Sequence, residues 1–569
     1  MLPQLCDYAR RLDLPPQLYG ERPVRYIVEL DATGRLLNPQ PTDTADATDR
    51  GTRNGVRRLV PTVQRAVSIK PLLLADNAEY SFGLARDPAK QARVDRAHAT
   101  YLDLIERCSD STGDPAVQAI ADFLNEDPRE QLDLDEDFDR SACVTFRVDH
   151  DLPINAPAVQ RFWAREHDPA RAAGAVIGQC LVCGSRRPVL RRLQNKLKRV
   201  PGGQTSGTAL ISANARAFES YGLDASLIAP TCGECAELFT NGLNHLLASE
   251  TQRTALGGAA FVYWTREDVE FNPLRMFTSP DPGQVRALLE SVFTRRESAP
   301  FDDTSLYALS LSGSGGRAVV RDWIDTTVGD VRTSLAQWFQ RQRIVGRNGE
   351  SPAPVGLYAL AAATVRDANS DLSPLTPRAL LRAALVGTPL PPNLLSEAVR
   401  RNSAEHNVTR PRAALIRAVL RSQARIATED SMIQLDEQNL EPAYRCGRLL
   451  AVLESAQHAA LGITAVTDRF YGAASSAPAS VFGRLLRGAQ PHLTKLERER
   501  PGAYHALQQR LEDVLAGLNG FPKTLDMEAQ GLFALGYYHQ RAHDRAQVRA
   551  RREGIDPKTG EVNAGEQEN

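Results

Sequence analysis

Four of the eight cysteines fall in two CxxC pairs, Cys180-Leu-Val-Cys183 and Cys232-Gly-Glu-Cys235. A CxxC turn brings two thiolates within reach of one ion, and two such turns complete a tetrahedral site. The 48 residues between the pairs exceed the spacing of a zinc ribbon, so we predict an inserted lobe over 180–235, the cysteine-bounded lobe. We predict structural zinc held by the four sulfurs, with no open position for catalysis. A redox dithiol and four unmetallated thiols are the alternatives.

Basic side chains fill this lobe. Residues 169–218 include nine Lys or Arg and no Asp or Glu, in a chain whose formal net charge is -1. Such side chains neutralise phosphates, glycines allow close backbone approach, and short polar groups suit base edges. The alternative is an ordinary exposed helix face. We predict nucleic-acid contacts from Arg186, Arg187, Arg191, Arg192, Lys196, Lys198, Arg199, Gly203, Gln204, Thr205 and Ser206.

A second basic segment precedes the lobe. Arg53, Arg57, Arg58 and Lys70 lie close together in sequence, with few acids near. This pattern fits a solvated strand edge and a phosphate-contacting arm equally well.

Asp149-His150-Asp151 follows a predicted strand and suggests a metal-dependent nuclease or phosphohydrolase. Such a site needs further His and Asp ligands, and no HxxxH or HxxE pattern accompanies these residues. The alternative is a polar strand end.

Length and composition describe an ordinary globular protein of two to four domains, with 569 residues and 42% hydrophobic content. No apolar run approaches the ~20 residues of a membrane span, and the N-terminus lacks a signal segment. We therefore expect a cytoplasmic protein. The scattered cysteines, Cys6, Cys108, Cys143 and Cys446, are predicted to be buried apolar residues or surface thiols.

Periodicity predicts an α+β N-terminal region with mixed and antiparallel strands and the inserted zinc-bound lobe, followed by an all-α C-terminal helical bundle. RYIVELDATGRLLN reads as two strands around a turn, and CVTFRVD and AAFVYWTRED as strands. Strand patterns end near Arg347, and residues from Met432 onward read as a bundle able to fold alone. Everything after Gly554 is polar and is predicted to be disordered.

Several segments resemble one known family, the large subunit of the type I-C CRISPR surveillance complex (Cascade), over nearly the whole chain. The segments are IKPLLLADNAEY (69–80), CLVCG (180–184), GGQTSGTALISANARAFESYG (202–222), TNGLNHLL (240–247), FVYWT (261–265), DEQNLEPAYRCGRLLAVLE (436–454) and LGYYHQR (535–541). Two departures matter. Leu72 and Ala75 stand where the family usually has asparagine and tryptophan. The second CxxC falls where many relatives lack cysteine, so zinc is inferred from this sequence alone.

The resemblance implies a non-catalytic, RNA-guided antiviral subunit that reads the protospacer-adjacent motif (PAM) in duplex DNA. It would help open the duplex, hold the displaced strand and recruit the helicase-nuclease. Implied partners are the backbone, 5′-end guide-processing and small subunits, crRNA, target duplex and displaced strand, with no membrane. Further implied contacts are Asn77, Asn214, Arg445, Arg448 and Arg541.

The resemblance also divides the chain by function. Residues 1–350 would recognise DNA and the PAM, and 351–430 would be a helical connection. Residues 431–553 would be the bundle and 554–569 a disordered tail. The family makes a separate small subunit by internal translation, and Met432 is well placed to start it.

Overall fold

The structure is a computed structural model that describes the chain except residues 47, 50, 64–68, 168–174, 194, 214, 295–297, 429 and 553–569. The predicted tail at 554–569 therefore lies outside the described residues. The chain divides into two compact units, Met1–Lys198 with Ser206–Asn244, and Arg199–Thr205 with His245–Asn569. The three functional regions expected from the sequence follow other boundaries and remain a proposal.

The first unit contains eight strands and seven helices among its described residues. The strands are β1 Tyr19–Val24, β2 Tyr26–Leu30, β3 Thr42–Asp43, β4 Val56–Pro61, β5 Ala75–Asn77, β6 Cys143–Val148, β7 Val176–Gln179 and β8 Arg186–Val189. The helices are α1 Leu2–Ala9, α2 Ala78–Ser81, α3 Gln91–Thr112, α4 Pro115–Asn125, α5 Pro128–Gln131, α6 Pro157–Glu166 and α7 Gly233–Ala248, whose last turn falls in the second unit.

A mixed four-stranded sheet organises this unit, in the order β3-β2-β6-β5. The central strands β2 and β6 run parallel, and the outer pairs are antiparallel. Val28 and Phe146 are fully buried, and they share a core with Ile120 of α4. The alternation of CVTFRVD predicted a strand here, and most positions of β6 are buried because it is a central strand of the sheet.

The second unit combines an antiparallel sheet with helices. Its strands are β9 Arg253–Leu256, β10 Ala259–Thr265, β11 Ser305–Ser314 and β12 Arg317–Thr327, in the order β12-β11-β10-β9. Its helices are α8 Pro273–Thr278, α9 Pro282–Leu289, α10 Val328–Arg341, α11 Leu357–Ala362, α12 Leu375–Val386, α13 Pro392–Glu405, α14 Arg410–Ser422, α15 Pro442–Leu461, α16 Ala465–Ser476, α17 Pro478–Glu499, α18 Pro501–Ala516 and α19 Met527–Arg552.

One continuous hydrophobic core runs through the second unit, from Ala259 in β10 to Ala542 in α19. Helix α19 packs on α15 and also on α13 and α14. Gly447 of α15 lets the backbones approach closely, because a Cβ there would lie 2.0 Å from the carbonyl oxygen of Phe533 in α19. The bundle that the sequence predicts as self-sufficient thus shares its core with the residues before it.

The predicted fold class is confirmed: strands dominate early and helices late, and the cysteine-bounded lobe is inserted among them. The turn predicted after β2 forms at Asp31, whose carboxylate accepts hydrogen bonds from the backbone N–H groups of Thr33 and Arg35. The second strand of that hairpin is reduced to one bridge, between Leu30 and Leu36. None of the described helices is long and apolar enough to cross a membrane.

Candidate functional site

The first CxxC pair forms the turn of the hairpin β7–β8. The backbone N–H of Cys180 donates to the carbonyl of Ser185 (3.0 Å), and that of Gly184 donates back to Cys180 (2.9 Å). Gly184 has a φ of +73°, a left-handed conformation that favours glycine after the second cysteine. Local sequence therefore positions both thiols on one tight turn.

The second pair lies at the start of α7. Cys232 bridges Val189 of β8, and its backbone N–H donates to the sulfur of Cys180 (3.4 Å). Cys235 is in the first turn of the helix, where the helix dipole favours a thiolate. The hairpin and the helix thus bring the two pairs to one place.

The four sulfur atoms all lie within 4.8 Å of one another. A tetrahedral zinc site with Zn–S bonds of about 2.3 Å separates its sulfurs by about 3.8 Å, so small movements would complete coordination. Cys180, Cys232 and Cys235 are buried, and Cys183 is exposed. Among the described residues, this is the only His, Cys, Asp or Glu group that could hold a metal ion.

Protonation of these thiols depends on their surroundings. Hydrogen bonding from the backbone of Ser185 lowers the pKa of Cys183 to about 6, whereas burial raises the pKa of Cys232 and of Cys235. Burial outweighs the helix dipole at Cys235, because a helix end contributes only about 0.3–1 kcal/mol. A cation is what would allow several buried thiolates to coexist here.

The remaining cysteines lie elsewhere. Cys6, Cys108 and Cys446 are buried and Cys143 is half-buried, as predicted for small apolar residues. Burial raises the pKa of the Cys108 and Cys446 thiols to about 12. They are therefore protonated and unsuited to bind metal at neutral pH.

The basic residues of the lobe are exposed, except that Arg187 and Lys196 are half-buried. The described residues 186–193 and 195–200 do not form a helix. Arg187 forms an ion pair with Glu234 (2.9 Å), and Arg191 with Asp224. Both acids lie outside the acid-free segment 169–218 in sequence, so a count of charged residues within that segment could not reveal these ion pairs. Five cations of the run form no ion pair with a described residue. They are Arg186, Arg192, Lys196, Lys198 and Arg199, of which Arg199 donates to a backbone carbonyl.

The segment GGQTSG is divided between the two units after Thr205. In the second unit, Gly203 bridges Gly315 at the tip of the β11–β12 hairpin, and the N–H of Gln204 donates to the Gly315 carbonyl (3.2 Å). A Cβ on Gly313 would lie 2.2 Å from the backbone nitrogen of Gly203. The SGSGG hairpin tip is thus a packing partner of this turn, which sequence reasoning missed.

The polar side chains of this turn remain accessible. Gln204, Thr205 and Ser206 are exposed, and Arg199 is exposed while donating to the carbonyl of Ala248 (3.4 Å). Asn214 lies outside the described residues.

The earlier basic segment forms a two-stranded antiparallel ribbon. In its register Arg58 of β4 lies opposite Arg22 of β1, and Arg57 opposite Pro23. Arg22, Arg53 and Arg57 are exposed, although Arg57 also pairs with Glu21 (3.6 Å). Arg22 belongs to this basic ribbon but was missed, because it is separated from the others by more than thirty residues in sequence.

Comparison with protein families finds that residues 5–544 match the model of CRISPR-associated protein (Cas_Csd1). The chain belongs to the Cas_Csd1 family. This is the family of the type I-C Cascade large subunit, so the resemblance drawn from sequence is confirmed. Membership implies other Cascade subunits and crRNA as partners. A comparison with curated proteins finds no match.

The segment 69–80 departs from the usual Cas_Csd1 pattern at residues that are buried here. Leu72 and Ala75 are buried, so neither faces a ligand. Lys70 is exposed, and the side chain of Asn77 caps α2 by accepting from the N–H of Tyr80 (3.4 Å). Asn77 therefore has a structural role in this chain.

Two of the arginines predicted to contact phosphates are inside the helical core. Arg445 is 4% exposed and donates to the carbonyls of Asn439 (2.6 Å) and Asp513 (3.0 Å). Arg448 is 2% exposed and donates to Gln540 (3.1 Å). A phosphate cannot reach either guanidinium in this fold, so neither side chain can contact nucleic acid.

Arg541 lies at the edge of a pocket in the same unit. Its guanidinium pairs with Glu454 (3.4 Å) and donates to the hydroxyl of Tyr537 (2.8 Å). It remains partly accessible, unlike Arg445 and Arg448.

The Asp149-His150-Asp151 residues lie on an exposed turn after β6. The backbone of Asp151 bonds to Val148, which closes the turn, and Asp149 has a φ of +54°. They do not belong to a group of described residues that could hold a metal ion. The structure therefore offers no ligand set for the nuclease alternative among the residues it describes.

Proposed function

We propose that this Cas_Csd1 chain recognises the PAM in duplex DNA, assists strand separation and helps recruit the helicase-nuclease. The observation that carries the proposal is the antiparallel β1–β4 ribbon with exposed Arg22 and Arg57, together with exposed Arg53 in the turn before β4. A two-stranded ribbon fits the major groove of B-DNA, and arginine is the commonest reader of guanine there. The unpaired cations of the lobe supply phosphate contacts that hold the duplex.

The proposed role is non-catalytic, as the family implies. Base pairing with crRNA would read the target, while this chain would read the short motif beside it. Exposed Gln204, Thr205 and Ser206 offer further hydrogen-bonding groups to the duplex. The displaced strand would lie along the C-terminal helices.

We propose zinc as the ion held by Cys180, Cys183, Cys232 and Cys235. An all-sulfur tetrahedral set is typical of structural zinc and leaves no open position for substrate. Zinc bound there would fix the β7–β8 hairpin to the start of α7. It would thereby hold the base of the basic lobe.

The test uses the assembled complex with crRNA and a duplex library that is randomised beside the target. Sequencing of the bound duplexes should show enrichment of a short motif. Arg57→Gln should weaken or alter that enrichment, because loss of a bidentate base contact costs about 1–3 kcal/mol. Binding without any enriched motif would instead indicate a scaffold subunit.

A cleavage assay separates the remaining alternative. The purified chain and its His150→Ala variant are incubated with duplex DNA and Mg²⁺, Mn²⁺ or Zn²⁺. We expect no metal-dependent cleavage that depends on His150. Cleavage abolished by this substitution would contradict the non-catalytic assignment.

A further inference from the structure

A pocket of about 650 Å³ lies within the helical unit, formed mainly by α15, α18 and α19. Its volume falls in the range of small-molecule sites, about 300–1,000 Å³. Four arginines and two carboxylates line it, so the pocket has more positive than negative groups. These residues are Arg510, Arg541, Arg545, Arg549, Glu454 and Asp544.

Internal bonds hold two of these arginines in place. Arg541 is fixed by Glu454 and Tyr537, as described above. Arg510 pairs with Asp544 (3.3 Å), whose carboxylate also accepts from Ser455 (3.1 Å) and Gln540 (3.0 Å). Both carboxylates therefore already have partners within the protein, and these contacts hold this part of the pocket lining in place.

Arg545 differs from both. It lies between Arg541 and Arg549 on one face of α19, and it forms no hydrogen bond or ion pair with a described residue. Burial lowers its pKa, the nearby guanidinium groups of Arg541 and Arg347 act in the same direction, and the carboxylate of Glu454 opposes them. A half-buried cation with more cationic than anionic neighbours favours the binding of an added anion.

Apolar side chains also line the pocket. They are Ala459 of α15 and Ala503, Ala506 and Leu507 of α18. Three of the four are alanines, whose side chains fill little of the pocket. The pocket thus combines cationic and apolar lining residues.

We propose that this pocket binds one nucleotide, with its phosphate at Arg545 and its base against the apolar residues of α18. A nucleotide matches both the cationic and the apolar lining residues, since it joins an anionic phosphate to a flat apolar base. The nucleotide is either free or part of a single strand. The free-nucleotide case goes beyond the proposed function, because it needs neither a PAM nor the residues of the first unit. The strand case rests on the proposed function, which places the displaced strand along these helices.

The experiment titrates the full-length chain by calorimetry with thymidine monophosphate, with a ten-nucleotide oligo-dT and with inorganic phosphate. Arg545→Gln removes the unpaired charge, and Ala506→Trp fills the space beside the apolar lining residues. Arg487→Gln is the matched control, because Arg487 is exposed on α17 and does not line the pocket. Loss of a charged hydrogen bond should weaken nucleotide binding about tenfold or more in Arg545→Gln.

The outcomes distinguish the source of the nucleotide. Binding of thymidine monophosphate that is sensitive to Arg545→Gln identifies a free-nucleotide site. Binding of oligo-dT alone, with the same sensitivity, identifies a site for a strand. Equal binding by wild type and Arg545→Gln, or an equal loss in Arg487→Gln, would overturn the proposal.

Protein stability is checked alongside. Arg545 has no partner to lose among the described residues, so Arg545→Gln should melt at or above the temperature of the wild type. If Ala506→Trp melts at a lower temperature than the wild type, the binding test rests on Arg545→Gln alone. Inorganic phosphate that binds as tightly as the nucleotide would remove the base from the proposal and so contradict it.

Discussion

Neutralising the unpaired cations of the cysteine-bounded lobe should reduce the salt dependence of duplex binding. The variant is the triple substitution Arg192→Gln, Lys196→Gln and Lys198→Gln. Arg191 is left intact because it pairs with Asp224 and its loss would disturb the lobe itself. Glutamine retains side-chain length and hydrogen bonding while removing charge.

The magnitude follows from counterion release. Each phosphate contact contributes about 0.9 to the slope of log affinity against log salt, so three contacts contribute about 2.7. Between about 50 and 200 mM salt, one contact accounts for about a 3.5-fold loss of affinity and three for about 40-fold. The fold-loss of affinity over this salt range should therefore be about 40 times smaller for the triple variant than for the wild type.

The assay is fluorescence anisotropy of a labelled duplex that carries the PAM but no sequence complementary to crRNA, with the assembled complex. The control variant replaces Arg484, Arg487 and Arg498 of α17 by glutamine, which removes the same charge from exposed positions of the helical unit. Its slope should equal that of the wild type. An unchanged slope in the lobe variant would remove these three residues from the duplex interface.

Three further predictions concern the metal, the pH dependence and the internal start. Atomic emission should find one zinc per chain, lost in Cys180→Ser but retained in Cys143→Ser. Because burial raises the pKa of Cys232 and Cys235, zinc binding should release protons and weaken as the pH falls. Buried His539 has its pKa lowered to about 3, so only the unfolded chain gains its proton below pH 6.5. His539 should therefore contribute about 1.4 kcal/mol to the loss of stability between pH 7.5 and 5.5 in urea unfolding, to which His98, His167 and His543 add, and the loss should be smaller in His539→Gln. If the small subunit starts at Met432, Met432→Leu should abolish it in mass spectra of the purified complex, whereas Met527→Leu should not.

Each of these has a clear contrary result. Calorimetry in buffers of different ionisation enthalpy would show no proton release if the thiols were already ionised without metal. An identical pH dependence in His539→Gln would show that another group controls acid stability. A small product that persists in Met432→Leu would place its start elsewhere.

Each CxxC pair of the four-cysteine cluster was predictable from sequence because its geometry is local. A CxxC turn fixes two sulfurs by itself, and the second pair needed only a helix start to present its thiols. The strand β6 was equally predictable from its alternating pattern. The turn within each pair and the strand pattern depend on neighbours within a few residues, whereas the meeting of the two pairs joins positions separated by 48 residues.

The nucleic-acid residues were less predictable, because pairing and burial are long-range. Arg445 and Arg448 have the charge of phosphate ligands, but the distant Asp513 and Gln540 engage them. Arg22 joins Arg58 only through strand pairing. The division of GGQTSG likewise depends on a hairpin more than a hundred residues later.

Helix α19 is the last described element of the chain, yet it covers α13, α14 and α15. During synthesis, the apolar faces of these earlier helices stay uncovered until α19 has been made. At about 5–20 residues per second, the interval from α14 to the end of α19 is on the order of ten seconds. The helical unit is therefore most exposed to aggregation on the ribosome, and a chain truncated before α19 would keep that exposure permanently.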